Sequence, residues 1–230
     1  MTTVTKDVVI IGGGHNGLVA ATYLAKAGKS VVILEANEEI GGATASVRAF
    51  PEFDAHLSRY SYLVALLPDQ IVSDLSLNFV TVPRTVSSYT PDLNGTGLYI
   101  SRQWDQTTAD SFASIPDGEA DAAAWQQFYG EVAKFAERIA PYMLQPLKSR
   151  SELKAAIDLP EIWEYLIEAP IGEIINARFK SDLVKGVVLT DALIGTHASA
   201  DELLANICFL YHLIGNGTGE WKVPKGGMGA

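Results

Sequence analysis

The sequence predicts an α/β protein in which a parallel strand-helix-strand unit is followed by an inserted α+β segment that is largely helical. Three observations predict it. A short β-branched run ends in a glycine triplet, and apolar residues then recur at helical spacing before a second apolar run follows. Further along, turn-rich short strands give way to long amphipathic stretches.

Lys6 to Ile11 reads as a strand buried on both faces. Leu18, Ala21, Leu24 and Ala25 then mark one face of a helix that Gly28 closes as a C-cap. Val31 to Leu34 is the second strand, and the right-handed crossover rule makes the three elements a parallel βαβ unit.

Within this unit Gly12, Gly14 and Gly17 form GxGxxG. Gly12 permits the tight turn, Gly14 lets a pyrophosphate approach the backbone, and Gly17 lets the helix pack close to the strand. His15 and Asn16 open the helix, whose N-terminal N–H groups and partial positive charge suit phosphates. Glu35 ends the second strand, where a carboxylate accepts hydrogen bonds from a ribose and repels a 2′-phosphate. These residues predict a Rossmann-type site for FAD or NAD, not NADP.

From about Leu75 the texture changes. Asn78 to Pro83, Thr85 to Thr90 and Gly97 to Ser101 read as strands of a small antiparallel patch, the last two separated by PDLNGTG. Trp104 stands ahead of a helix from Gln106 to Ser114 as an apolar anchor. A longer helix runs from Glu119 to Ile139, with Trp125, Phe128, Val132, Phe135 and Ile139 as its core stripe. Helices follow at Ser151 to Ile157, Leu159 to Glu168, Ile171 to Phe179 and Leu183 to Leu193. Ser199 and Glu202 read as a capping-box pair that starts a helix through Tyr211.

Composition narrows the function classes. With 48% hydrophobic and 19% charged residues the chain is globular rather than disordered. Its net charge of -10, with no basic cluster, argues against a nucleic-acid partner. The single cysteine, Cys208, excludes both an internal disulfide and a CxxC redox centre, and its apolar surroundings read as those of a buried, inert thiol. MTTVTKD is too polar for a secretory signal, and no apolar run reaches the ~18–20 residues that span a bilayer, so a cytoplasmic location without a transmembrane segment is expected. No GxSxG occurs, and neither His197 nor His212 has a neighbour at metal-ligand spacing, so no metal is expected.

A second glycine turn, Gly41-Gly42, follows Glu35 in the run LEANEEIGGAT. The combination GxGxxGLxxAxxLxxxGxxVxxLExxxxxGG resembles the N-terminal signature of the large FAD-dependent flavoproteins that include amine oxidases and phytoene desaturases. FDAHLSRYSYLVALLP and TDALIGTHASADELLANICFLYHLIGNGTGEWKVPKGGMGA look like the phytoene desaturase-related branch, and most like the pyridine nucleotide-disulphide oxidoreductase domain-containing protein 2 group. That resemblance implies FAD as cofactor, a small organic substrate and a separate electron acceptor. It also implies an FAD-binding segment over 1–75, a substrate or cap domain over 76–215, and over 216–230 the start of a return to the FAD domain. The later strands of that domain have no counterpart in these residues, so the chain is expected to be an N-terminal portion with an incomplete FAD domain.

The expected cofactor-binding residues are Gly12, Gly14, His15, Asn16, Gly17, Glu35, Gly41 and Gly42, joined by Arg48, Ser58, Tyr60, Gly226 and Gly227. Arg48 and Arg59 stand where they could neutralise a pyrophosphate or a substrate carboxylate. The resemblance places His56, Ser58, Tyr60 and Ser61 alongside the flavin ring, and VPKGGMGA beside the cofactor and substrate cavity, its glycines preceding a helix. No catalytic side chain is assigned, since a flavin carries the hydride chemistry itself. Two rivals stand beside this reading: an NAD-dependent dehydrogenase, and a non-catalytic dinucleotide-binding regulator or fragment.

Overall fold

The computed structural model describes residues 4–61, 63–78 and 80–229. Tyr62, Phe79 and Ala230, which fall in stretches singled out above, lie outside the described residues, as do residues 1–3 of the N-terminal run. The chain divides into two compact units, the first comprising Met1–Pro83 and Lys222–Ala230, the second Arg84–Trp221.

In the first unit, β1 (Val8–Ile11) leads into α1 (His15–Lys26) and β2 (Val31–Leu34). The two strands pair in parallel, from Val8 opposite Val31 to Ile11 opposite Leu34, as the crossover rule requires. Gly28 closes the helix at φ 81°, donating its N–H to the Ala25 carbonyl at 2.9 Å. After a 3-10 turn at Gly42–Thr44, β3 (Ser46–Val47) and β4 (Leu57–Ser58) form a short antiparallel ribbon. Then come α2 (Asp69–Leu75) and β5 (Thr81–Pro83). Tyr23 of α1 donates to the Asp74 carboxylate of α2 at 2.8 Å, and Lys26 donates to the Asp74 carbonyl.

One expected pairing is different. β5 does not join the small antiparallel patch; it pairs with the returning strand Lys222–Pro224, Thr81 facing Pro224 and Pro83 facing Lys222. A strand's partner is set by backbone groups that meet only after folding, and a short run such as this one gives no local sign of which strand that is. After that strand, Gly226 and Gly227 take φ of 92° and 84°, and the chain turns rather than becoming helical through Gly229.

The second unit begins with the hairpin of β6 (Val86–Pro91) and β7 (Gly97–Ser101). Side chains of α3 (Gln106–Ala113) satisfy the open side of β7: the Tyr99 N–H donates to Ser111 Oγ at 2.7 Å and the Ser101 N–H to Thr108 Oγ1 at 2.9 Å. Asp105 caps α3 through the Thr108 N–H, and Trp104 lies 5.3 Å from the Phe112 ring, the anchoring role expected of it.

α4 (Gly118–Ile139) is the spine of this unit. It buries Trp125, Phe128, Val132 and Phe135. Trp125 and Phe128 meet the ring of Phe179, which closes α7 (Ile171–Arg178), Phe128 also meets Phe209 of α9 (Leu203–Ile214), and Phe135 meets Trp163 of α6 (Pro160–Trp163). α5 (Arg150–Ile157) lies ahead of α6 in the chain, and α8 (Asp182–Leu193) ahead of α9. The buried carboxylate of Asp121 on α4 accepts the N–H groups of Lys180 and Ser181 ahead of α8. α6 runs on as a π turn over Glu164–Glu168. Buried Asn206 of α9 donates Nδ2 to the Leu166 and Ala169 carbonyls and accepts the Ile171 N–H, so the loosened backbone there keeps its partners.

Two helix starts differ from expectation. α9 begins at Leu203, because Ser199 and Glu202 close a separate turn in which Glu202 accepts the Ser199 N–H at 3.0 Å. The complete capping box lies at Ser149 and Glu152, ahead of α5. Cys208 is half-buried rather than buried; burial first, then Asp191, pushes its thiol above the ordinary value of 9.0, which keeps it protonated.

Candidate functional site

The glycine loop between β1 and α1 is built so that two of its glycines differ in what surrounds them. Gly12 holds φ 97° and donates its N–H to the Leu34 carbonyl at 2.7 Å, which turns the chain at the end of β1. A methyl group on Gly17 would stand 2.5 Å from the Gly12 carbonyl oxygen, so only glycine lets α1 approach the strand this closely. On Gly14 a methyl group would meet no atom of the described residues within 4 Å, and its φ of -72° suits any residue.

Gly14 is also the N-cap of α1. Among the described residues no side chain caps the helix, so the N–H groups of its first turn, at His15, Asn16 and Gly17, have no side-chain acceptor at the positive end of the helix dipole. The His15 and Asn16 side chains are exposed.

Glu35 fixes the other wall. One carboxylate oxygen accepts the Gly13 N–H at 2.7 Å, and the other accepts both the Asn37 N–H at 2.9 Å and Asn37 Nδ2 at 2.8 Å. These bonds, those to Asn37 and Gly13 foremost, hold the carboxyl below its ordinary value of 4.5, so it is charged at neutral pH. Gly13 and Asn37 were not among the expected site residues. A glycine in the middle of GGG and an amide two residues after Glu35 were the available signs.

The second glycine turn closes on the first. Gly14 and Gly41 form a parallel bridge, the Gly41 N–H reaches the Gly13 carbonyl at 2.8 Å, and a methyl group on Gly42 would stand 3.1 Å from Gly14 Cα. Gly41 and Gly42 take φ of 119° and 57° to do so. Gly12, Gly14, Gly17, Glu35, Gly41 and Gly42 are thus brought into one cluster.

Ser58, Gly226 and Gly227 form a second group on the β3–β4 ribbon. The Met228 N–H donates to Ser58 Oγ and the Gly229 N–H to Ser46 Oγ, both at 2.9 Å, while a methyl group on Gly227 would stand 2.5 Å from that same Ser46 oxygen. Ser46 was missed by sequence reasoning, because its role depends on a segment far along the chain. Ser61 donates to the Ala43 carbonyl at 2.8 Å.

Arg48 and Tyr60 join neither group. Arg48 Nε donates to the Phe53 carbonyl at 3.0 Å, and Tyr60 is 66% exposed with the Arg59 guanidinium 5.3 Å over its ring. His56 is exposed, its carbonyl near Gly227. Among the described residues no group of three or more His, Cys, Asp or Glu is placed to hold a metal ion, and no helix is long and apolar enough to cross a membrane.

Comparison with known proteins agrees with this geometry. Residues 10–69 match the NAD(P)-binding Rossmann-like domain. An uncharacterised protein of Mycobacterium tuberculosis is 43% identical over 237 aligned residues, which take in 97% of this chain and 44% of that protein. Pyridine nucleotide-disulfide oxidoreductase domain-containing protein 2 of Mus musculus is 32% identical over 257 aligned residues, with the same coverage. Among solved structures, a putrescine oxidase redesigned in its cofactor binding matches with a TM-score of 0.56 at 22% identity, over 99% of this chain and 47% of the oxidase. The chain therefore spans under half the length of the curated relatives it matches, is homologous to them, and shares its fold with an amine oxidase.

Proposed function

We propose that this homologue of pyridine nucleotide-disulfide oxidoreductase domain-containing protein 2 is an FAD-dependent oxidoreductase that takes a hydride from a small organic substrate. The observation that carries the reading is Gly14: its backbone angles suit any side chain and no atom of the described residues crowds it, so a glycine there serves what approaches from outside. The approach leads to the uncapped N-terminus of α1, which suits a pyrophosphate.

The residues fit the cofactor. Gly14, His15, Asn16 and Gly17 would present backbone N–H groups to its phosphates, and Gly12, whose own N–H is held by the Leu34 carbonyl, would turn the chain towards them. Glu35, charged and still holding free lone pairs, would accept the adenosine ribose hydroxyls and repel a 2′-phosphate, which disfavours NADP. Gly41 and Gly42 would let the backbone pass close beside the dinucleotide. Ser58, Gly226 and Gly227 would line its further course, with Arg48 and Tyr60 at the periphery. A bound flavin would supply the hydride acceptor, and a separate electron acceptor would restore it. Residues 84–221 are the proposed substrate domain.

The test is cofactor titration of the purified chain and of its Gly14→Ala variant, followed by flavin fluorescence for FAD and by calorimetry for NAD. Wild type should bind FAD in preference to NAD. The variant should keep its circular dichroism spectrum and lose FAD affinity by about tenfold or more, as an obstructed charge-assisted contact does. Unchanged affinity in the variant would remove Gly14 from the site. Preference for NAD, the reading the family match also allows, would replace the flavin with a nicotinamide.

A further inference from the structure

The second unit holds a cleft of about 330 Å³ lined by the turn ahead of α4, at Ile115, Pro116 and Asp117, and by the start of α8, at Lys180, Ser181 and Leu183. Two contacts fix these segments. The buried Asp121 carboxylate accepts the Lys180 N–H at 2.9 Å and the Ser181 N–H at 2.8 Å. Gly118 keeps the turn tight, since a methyl group there would stand 1.8 Å from the Phe112 carbonyl oxygen. Two further carboxylates line the cleft and already have partners. Asp92 accepts the Leu93 N–H at 2.7 Å and Asn94 Nδ2 at 3.1 Å, and Asp182 pairs with Lys185 at 3.1 Å.

Three lining groups are left for a ligand. Among the described residues no hydrogen bond or ion pair engages the Asp117 carboxylate, the Lys180 ammonium or the Ser181 hydroxyl. Ser181 is only 8% exposed, and although it is the N-cap of α8 its hydroxyl caps no N–H of the first turn. A buried hydroxyl without a protein partner takes its hydrogen bond from what enters the cleft. The charges then choose the ligand. A simple cation would meet Lys180 and the positive end of α8, and a simple anion would meet Asp117 and Asp92. A zwitterion satisfies both signs, its carboxylate accepting from Ser181, Lys180 and the start of α8 while its ammonium donates to Asp117. Ile115, 5% exposed, and half-buried Leu183 add an apolar lining. We propose that this cleft binds a free α-amino acid with a short apolar side chain. The site is independent of the cofactor reading, because all of its residues belong to the second unit.

The test is titration of the flavin-free chain with L-valine, read by calorimetry and by ligand-observed NMR at low ionic strength. Isobutylamine, which lacks the carboxylate, and 3-methylbutanoate, which lacks the amine, serve as comparators. Valine should saturate a single site and bind more tightly than either. Asp117→Asn, which keeps the side-chain shape and suits the φ of 60° at this position, should weaken valine by about tenfold without weakening 3-methylbutanoate. Ser181→Ala should weaken valine and 3-methylbutanoate severalfold and leave isobutylamine unchanged. Valine that fails to saturate, or that binds both variants as well as wild type, would overturn the proposal. A comparator that binds as tightly as valine would overturn the assignment to a zwitterion. Since no flavin takes part, none of these outcomes depends on whether the chain binds FAD.

Discussion

A methyl group added to Gly14 and one added to Gly17 would meet opposite surroundings, although the two residues belong to one motif. At Gly17 the methyl would collide with the Gly12 carbonyl oxygen, a backbone atom that moves only if β1 and α1 separate. Gly17→Ala is therefore expected to cost about 1–3 kcal/mol of stability, the usual scale of overpacking, whether or not a dinucleotide is present. Thermal unfolding of the chain without cofactor measures it, and a melting temperature equal to wild type would show that the helix can retreat freely. Gly14→Ala should differ by only the modest cost of replacing a glycine N-cap. GxGxxG is visible in the sequence, but this division of labour is not, because it depends on which glycine faces protein and which faces open space. Gly13, in the same loop, shows the same limit: its N–H is committed to Glu35 across the βαβ unit.

Elements were legible wherever their signal is local. The period of Trp125, Phe128, Val132 and Phe135 specifies the buried face of α4 without reference to any other segment, and the observed helix starts one residue before the expected one. Pairings that join distant residues were not legible: β5 with Lys222–Pro224, Asp121 with the start of α8, and Asn206 with the π turn. Capping falls between these cases. Ser149-Arg150-Ser151-Glu152 carried a readable capping box that the expectation of a helix from Ser151 passed over, while Ser199 and Glu202 have the same spacing but form a turn ahead of α9. The box at α5 makes its own prediction. Hydrogen bonds from Ser149 hold the Glu152 carboxyl below its ordinary value of 4.5. A carboxylate with a lowered folded-state pKa stabilises the fold above its unfolded value and loses that contribution as pH falls through the folded one. Ser149→Ala should accordingly lower the melting temperature at neutral pH, and its gap from wild type should narrow in acid below that range. A gap independent of pH would assign the effect to the serine hydroxyl alone.

At the scale of the whole molecule, core and charge are unevenly shared. Among the described residues, 25 apolar side chains are buried, of which 24 lie in Arg84–Trp221 and only Ala21 lies in the first unit. The parallel sheet of the first unit is open where such sheets are ordinarily covered: Ile11 is 88% exposed, and Val9 and Leu34 are more than half exposed. Hydrophobic patterning of β1 predicted a strand buried on both faces, and the described residues do not supply both covers. Alternation of burial along β1 shows that α1 covers one face alone. Stability follows buried apolar area, so the two units should open at different free energies. Amides of β1 and β2 in the 230-residue chain should exchange with solvent deuterium well before those of α4 and α8, although both sets are hydrogen-bonded in regular structure. Addition of the proposed dinucleotide should slow the first set selectively, because a ligand stabilises only the state that holds it. Equal protection of β1 and α4 in the cofactor-free chain would mean that something other than apolar burial holds the βαβ unit together, with the Glu35–Gly13 and Gly41–Gly13 bonds as the first candidates for removal by mutation.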